Sequence, residues 1–183
     1  MTEALSRRLK QPSFEGPAQE AMLSILVAAS TLTERMEHLC AQKKITHAQY
    51  NVLRILRGVY PQGHPRGEIA CRMIDRAPDI TRLLDRLEAR RLVRRTRGSE
   101  DQRQTVTYIT VKGIKLLDAM QPQVELEVTR ALSRLNQEDC RQLSRLCAAI
   151  FDEHERKDEA QEPGPARDVN GQTPMAKWLN ANR

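Results

Sequence analysis

Midway along the chain, the spacing of apolar residues changes from the three-to-four-residue repeat of a helix to the two-residue repeat of a strand. Before the change lie two short helical patterns, residues 66–74 and 78–90, with only three residues between them. After it come two β-favouring runs, residues 93–97 and 105–110, joined by a polar segment. Two short helices around a tight turn, followed by a hairpin with a charged tip, predict a winged helix-turn-helix.

Longer helical patterns flank this unit and make the predicted fold mainly α with a small β-hairpin, an α+β class. An apolar stripe runs through residues 18–42, and Thr46 is a suitable N-cap for the helix that follows. After the hairpin, Thr110 can cap another helix, in which Pro122 should introduce a kink or a brief interruption. A capping box that begins at Asn136 opens the last helix.

Positive charge is concentrated in the body of the chain. The formal net charge is +6, but residues 152–183 hold seven acids against five bases, so residues 1–151 carry +8. Aromatic residues make up only 3% of the chain. A basic body with few aromatic side chains favours a polyanion partner that is bound through arginine rather than through base stacking.

Several other classes of protein find no support in the sequence. No apolar run reaches the ~18 residues of a membrane span, and none has the form of a signal peptide, so we expect a cytoplasmic protein. The sequence holds no glycine-rich phosphate loop, GxSxG or HExxH motif, so we expect neither an enzyme nor a cofactor.

The second short helix, residues 78–90, carries candidate DNA contacts opposite its apolar face. Arg82, Arg86 and Arg90 recur every four residues, and Thr81 lies near the start of the helix. Side chains from the first turns of a recognition helix reach base edges in the major groove, where arginine bonds guanine bidentately. The alternative is an ion-paired, solvated surface, because Asp85 and Glu88 alternate with these arginines.

The tip of the hairpin is the second candidate contact. Arg103 lies two residues after Asp101, whose carboxylate could hold the guanidinium extended. An arginine presented at the tip of a ribbon can enter the narrow minor groove. An ordinary solvent-facing loop remains the alternative. Residues 82–103 hold eight arginines against four acids, which suits a phosphate backbone.

Several motifs across residues 18–155 resemble those of the MarR family of bacterial transcription regulators. They are ITHAQYNVL at 45–53, GEIA at 67–70, ITRLLDRLE at 80–88, LV at 92–93, D-x-R at 101–103 and ITVKG at 109–113. Two positions depart from the family pattern. Arg91 replaces a glycine after the recognition helix, where a left-handed cap would be strained or absent, and Pro78-Asp79 replaces small hydroxyl residues.

The resemblance implies a homodimer that reads a pseudo-palindromic DNA duplex, and it assigns roles to segments and residues. It makes residues 18–45 a dimerisation helix, 46–110 the DNA-binding lobe and 111–157 further dimerisation helices. Residues 1–17 are then an N-terminal arm, and the polar, proline- and glycine-rich composition of residues 158–183 predicts a disordered tail. The resemblance also implies a set of DNA contacts, in which Asp101 braces Arg103 in the minor groove. This set is Thr81, Arg82, Arg86, Arg95, Asp101 and Arg103.

The predicted function is therefore a sequence-specific regulator of double-stranded DNA, a dimeric repressor released by a small aromatic or phenolic ligand. One alternative is a metal-responsive sensor of the same fold, since His38, Cys40 and His47 lie near one helix junction. A thiol-responsive sensor is a related alternative, for which Cys71 and Cys140 remain open, whereas Cys40 and Cys147 fall on apolar stripes. We expect no metal site, because no paired histidines follow. A protein–protein adaptor that binds an acidic protein is the other alternative.

Overall fold

The structure is a computed structural model that describes residues 3–75, 79–97 and 105–161, without the side chains of residues 153–161. It divides into two compact units, residues 1–131 and 132–183. The elements in chain order are α1 (Glu3–Leu9), α2 (Pro17–Gln42), α3 (His47–Gly58), β1 (His64–Pro65), α4 (Arg66–Cys71), α5 (Ile80–Ala89), β2 (Val93–Arg97), β3 (Thr105–Ile109), α6 (Val111–Ala131) and α7 (Gln137–Gln161). The predicted mainly helical fold with a small hairpin is confirmed.

The first unit contains a three-stranded antiparallel sheet in the order β1-β3-β2. β2 and β3 form the predicted hairpin, with Val93 opposite Ile109. β1 was not predicted, because its two residues lie in a segment rich in proline and glycine that reads as a turn. Gly63 makes this third strand possible, since a β-carbon there would lie 2.3 Å from the Thr107 carbonyl oxygen of β3.

The core of this unit lies where α3, α5 and the sheet meet the start of α6. Its buried side chains include Leu53, Leu56, Leu84, Leu87 and Val93. Local sequence holds these helices in place. Thr46 forms a full capping box with Gln49 at the start of α3, as a predicted N-cap should. Thr110 caps α6 by accepting the Gly113 amide at 3.1 Å.

The two ends of α5 differ from the sequence prediction. The helix begins at Ile80, and its N-cap is Asp79, whose carboxylate accepts the Arg82 amide at 2.9 Å. Pro78, the predicted first helical residue, lies outside the described residues. At the other end, Arg91 adopts the left-handed conformation with φ 58°, so of the two expected outcomes, a strained cap or none, the strained cap forms.

Two further helices differ from the prediction, α4 in its end and α6 in having no interruption at Pro122. α4 ends at Cys71 rather than at residue 74. α6 runs without interruption from Val111 to Ala131 with Pro122 inside it.

The second unit is described by α7 and the turn before it. Asn136 and Asp139 form the predicted capping box, each side chain accepting the other's backbone amide, at 2.9 and 3.0 Å. Leu143, Leu146 and Ile150 form an exposed apolar stripe along the helix. α7 ends at Gln161, beyond the expected start of the tail at residue 158, and residues 162–183 lie outside the described part of the chain.

Candidate nucleic-acid interface

Three of the predicted contacts lie together on the exposed side of α5. Thr81, Arg82 and Arg86 are all exposed, whereas Leu84 and Leu87 of the same helix are buried in the core. The apolar spacing of α5 decides this arrangement, because burial of one stripe turns the opposite stripe to solvent. The Thr81 hydroxyl accepts a hydrogen bond of 3.2 Å from Arg66 of α4, which ties the start of α5 to the preceding helix.

Among the side chains that the structure describes, none engages the guanidinium group of Arg82 or of Arg86. Within the described ranges, neither has an ion pair or a side-chain hydrogen bond. The predicted alternative, a surface in which Asp85 and Glu88 neutralise these two arginines, is therefore not the arrangement that forms. Both cations are available to an external anion.

Arg95 of β2 takes up those two carboxylates instead. Its Nε donates to Glu88 Oε2 at 2.8 Å, and its Nη2 donates to the same oxygen at 2.5 Å and to Asp85 Oδ1 at 2.6 Å. The Arg95 backbone amide also donates to Glu88 Oε1 at 3.0 Å. The hydrogen bond from Arg95 lowers the pKa of Glu88 and in turn raises the pKa of Arg95. Arg95 thereby joins the second strand to the middle of α5.

The other face of the hairpin carries a contact that the sequence reading did not find. The guanidinium carbon of Arg94 lies 4.3 Å from the centre of the Tyr108 ring, in a cation–π arrangement. The pairing of the two predicted strands could have indicated this contact, because residues directly opposite each other in an antiparallel pair lie close together and Arg94 is opposite Tyr108.

Asp101 and Arg103, the predicted minor-groove pair, lie outside the described residues. Before and after them in the chain, β2 ends at Arg97 and β3 begins at Thr105.

The described residues of the first unit line two open clefts, one beside α5 and one between two of the long helices. One, of about 780 Å³, adjoins the start of α5 and is lined by residues that include Arg66, Thr81 and Arg95. The other, of about 720 Å³, lies between α2 and α6, where Arg35 and Glu127 form an ion pair of 3.5 Å. Both volumes fall in the range of small-molecule sites.

The residues considered for a sensor site are not brought together. In residues 3–75, 79–97 and 105–161, no three His, Cys, Asp or Glu side chains cluster so that they could hold a metal ion.

Cys40 is fully buried, and burial, with a smaller contribution from Glu37, raises the pKa of its thiol to about 11. Since the thiolate is the reactive form, Cys40 is a core residue rather than a reactive thiol. Cys71 is exposed.

A helix that crosses a membrane must be both long and apolar. Among the residues that the structure describes, no helix is both long enough and apolar enough to cross a bilayer.

Comparisons with known proteins agree with this geometry. The family model for the MarR family matches residues 45–105. A MarR transcription factor from Planctomyces limnophilus is 36% identical in sequence, with a TM-score of 0.58, over 75% of this chain and 99% of that one. The transcriptional repressor CouR, solved bound to a 23-mer DNA duplex, is 29% identical with a TM-score of 0.63, over 70% of this chain and 90% of its own.

AbsC, a MarR family regulator from Streptomyces coelicolor, is 20% identical with a TM-score of 0.70, over 79% of this chain and 99% of that one, and shows the shared fold. No match was found among curated proteins. The identity with the Planctomyces protein, sustained over almost the whole of that protein, is more than a shared fold requires. This chain belongs to the MarR family of transcription regulators.

Proposed function

We propose that this protein binds a pseudo-palindromic double-stranded operator as a homodimer and represses transcription. The observation that carries the proposal is the exposed face of α5, where Arg82 and Arg86 have no side-chain partner in the described chain. Thr81 lies beside them near the start of the helix. An exposed helix face with uncommitted arginines and a hydroxyl suits base edges and phosphates in the major groove.

We assign the following roles, of which those of Thr81, Arg82 and Arg86 are supported by their exposed position on α5. Thr81, Arg82 and Arg86 contact the major groove, and Arg103, braced by Asp101, enters the minor groove. Arg95 contributes through its pairing with Asp85 and Glu88, which holds α5 against the hairpin. Support for DNA as the polyanion comes from CouR, a relative of the same fold that was solved on a duplex.

The homodimer is supported by apolar surface that a single copy leaves in water. Met22 and Leu26 of α2 are 55% and 58% exposed, and Leu146 and Phe151 of α7 are 59% and 56% exposed. Stripes of this kind on helices are typical of protein–protein interfaces. We therefore assign residues 18–45 and 111–157 to dimerisation and residues 46–110 to DNA binding.

A small aromatic or phenolic ligand would release the repressor from DNA. The cleft between α2 and α6 has a suitable volume, and an acidic or phenolic oxygen would compete with Glu127 for Arg35 at its wall. A non-enzymatic, cytoplasmic role fits a family of transcription regulators.

Selection of bound duplexes from random DNA tests the proposal, because it returns both the base sequence and the half-site spacing. We expect a two-fold symmetric sequence with centres about one helical turn apart or a multiple of it. The affinity for that sequence should fall steeply with salt. A monomer in sedimentation, or equal affinity for all duplexes at low salt, would contradict the proposal. Binding to acidic proteins but not to DNA would favour the adaptor.

A further inference from the structure

Arg90, the last member of the arginine stripe on α5, makes contacts unlike those of Arg82 and Arg86. It is the C-cap residue of α5 and is half-buried. Its guanidinium donates to two backbone carbonyls at the end of α2, to Lys44 through Nη1 and to Lys43 through Nη2 at 3.3 Å. A side chain of the recognition helix therefore binds directly to the end of the dimerisation helix.

The two helix ends that Arg90 joins have the same backbone geometry. At the end of α2, the Lys44 and Ile45 amides donate to the Ala41 and Cys40 carbonyls at 2.9 and 3.1 Å, and Lys44 has φ 57°. The same pattern recurs at the end of α5, around Arg91. Each is a Schellman motif, which leaves the C-cap carbonyl without a helical partner. A guanidinium at the end of α2 satisfies such carbonyls and also lies at the negative end of the helix dipole.

The start of α6 holds the same end of α5. Lys112 Nζ donates to the Arg90 carbonyl at 2.9 Å, and the Thr110 hydroxyl donates to the Arg91 carbonyl at 2.8 Å. Gly113 packs so closely here that a β-carbon would lie 2.4 Å from the Leu92 carbonyl oxygen. The ends of α2 and α5 and the start of α6 thus form one hydrogen-bonded junction.

We propose that Arg90 is a positioning residue for DNA recognition, which fixes α5 relative to α2 and α6. The proposal rests on the proposed function. In a dimer formed through α2, the position of α5 relative to α2 decides how far apart the two copies present Arg82 and Arg86. Arg90 thereby sets the half-site spacing that the protein accepts, without touching DNA itself.

The competing explanation is that Arg90 contacts a phosphate, as its place four residues after Arg86 suggests. The two explanations differ in salt dependence. Each neutralised phosphate contributes about −0.9 to the slope of log affinity against log salt, so loss of one contact in each subunit should make the slope shallower by about 2. Loss of a positioning residue should leave the slope unchanged and weaken the preference for one spacing.

The experiment compares the wild type with Arg90→Met, Arg90→Lys and Arg86→Met on the selected operator and on operators with one or two base pairs added between the half-sites. Methionine preserves the aliphatic volume but donates no hydrogen bond. We expect Arg90→Met to lose roughly tenfold in affinity on the native spacing. It should also discriminate less between spacings and keep the wild-type salt slope.

The other two variants serve as controls. Arg90→Lys should recover part of the affinity, because an ammonium can still donate to one carbonyl. Arg86→Met should lose affinity on every spacing, because it removes a contact to DNA rather than a contact within the protein. A shallower slope for Arg90→Met, or wild-type spacing preference in that variant, would overturn the proposal.

Amide hydrogen exchange on the free protein separates this inference from the proposed function. In Arg90→Met, the amides of Lys44, Ile45 and Leu92 should exchange faster than in the wild type, while those of α3 should not change. Unchanged exchange at the junction would overturn the proposal whatever the DNA result. If the wild type binds no duplex, the proposed function fails and the DNA role of Arg90 fails with it, whereas faster exchange would still establish the junction.

Discussion

Arg82 and Arg86 on one side, and Arg90 and Arg95 on the other, carry the same charge within fourteen residues of sequence but occupy different environments. The first two are exposed and have no side-chain partner in the described chain. The second two are half-buried, and each donates to at least two acceptors. The first pair is free to bind an anion, whereas the second pair organises the helix that carries the first.

The difference shows what a charge pattern can and cannot reveal. Arg82, Arg86 and Arg90 have identical four-residue spacing, yet the acceptors of Arg90 are carbonyls 46 and 47 residues away in sequence. The carboxylates that bind Arg95 are 7 and 10 residues away, on a different element. Tertiary contacts therefore divide one basic segment into arginines that are open to an external anion and arginines that are bound within the protein.

The largest expected effect is on DNA binding by the free pair. Arg82→Met and Arg86→Met should each weaken binding to the selected operator by about 10- to 100-fold, because a bidentate arginine–guanine contact contributes roughly 1–3 kcal/mol of discrimination. Urea unfolding should show a change within about 0.5 kcal/mol, since neither side chain has a partner among the described residues. Fluorescence anisotropy with labelled operator measures the affinity.

Arg57→Met is a suitable control for these two variants, because Arg57 lies on α3 and pairs with Asp118 of α6 at 2.9 Å. We expect it to leave affinity almost unchanged. Equal losses of affinity in all three variants would mean that total charge matters rather than the exposed face of α5.

The next effect in size is on the free energy of unfolding, and it concerns Arg95, whose guanidinium is bound within the protein. Arg95→Met should lower the free energy of unfolding by about 1.5 kcal/mol, because Glu88 and Asp85 lose charge-assisted hydrogen bonds that are partly screened by solvent. Arg94→Met is the matched control on the same strand. It should lose less, about 0.5 kcal/mol, since it gives up one cation–π contact at the surface. Urea unfolding that ranks Arg94→Met as the less stable variant would reverse this assignment.

Much of the fold was predictable because its signals are local. Thr46 and Thr110 each cap a helix through contacts within three residues, and the hairpin follows from alternation in residues 93–97 and 105–109. β1 was missed because its pairing depends on Gly63 fitting against a strand more than forty residues later. No local pattern contains that information.

The candidate site divides in the same way. The exposure of Thr81, Arg82 and Arg86 follows from the apolar stripe of α5, so helical spacing alone places them. The engagement of Arg95 could not be predicted, because Asp85 and Glu88 have equally close arginines on their own helix. The choice between those partners depends on how β2 packs against α5.

The acid dependence of stability tests the Arg95 contacts without removing the arginine. Because Arg95 lowers the pKa of Glu88, the pair stabilises the folded state at pH values above 4.5, the ordinary pKa of glutamate. This stabilisation is lost as the pH falls through the lower pKa that Glu88 has in the folded state. Near pH 7, the free energy of unfolding of the wild type should exceed that of Glu88→Gln by about 1 kcal/mol. This difference in stability should shrink below pH 4.5. Thermal unfolding from pH 7 to 3.5 measures it. A difference that stays constant with pH would show that the carboxylate charge is not what matters.

The smallest expected effect concerns Arg91, an exposed arginine at the position where the family pattern has glycine. Its left-handed φ of 58° costs a non-glycine residue about 1–2 kcal/mol, and glycine recovers this at an entropic cost of about 0.5–1 kcal/mol. Arg91→Gly should therefore stabilise the protein by about 0.5 kcal/mol and raise the Tm by roughly 1–2 °C. Arg91→Ala is the control, since it removes the charge but keeps the strain, and it should not gain stability.

Arg91→Gly also tests whether Arg91 belongs with the arginines that are open to an anion or with those that are bound within the protein. Arg91 is exposed like Arg82 and Arg86, but it lies ten residues after Thr81, which is about 15 Å along a helix axis. If exposure alone defined the binding set, Arg91→Gly would bind the operator more weakly, with a shallower salt slope. We expect unchanged affinity and slope, because the groove is reached from the first turns of α5 and the last turn is held by Arg90, Thr110 and Lys112. A stabilised variant with reduced affinity would instead mean that the strained arginine is retained for binding.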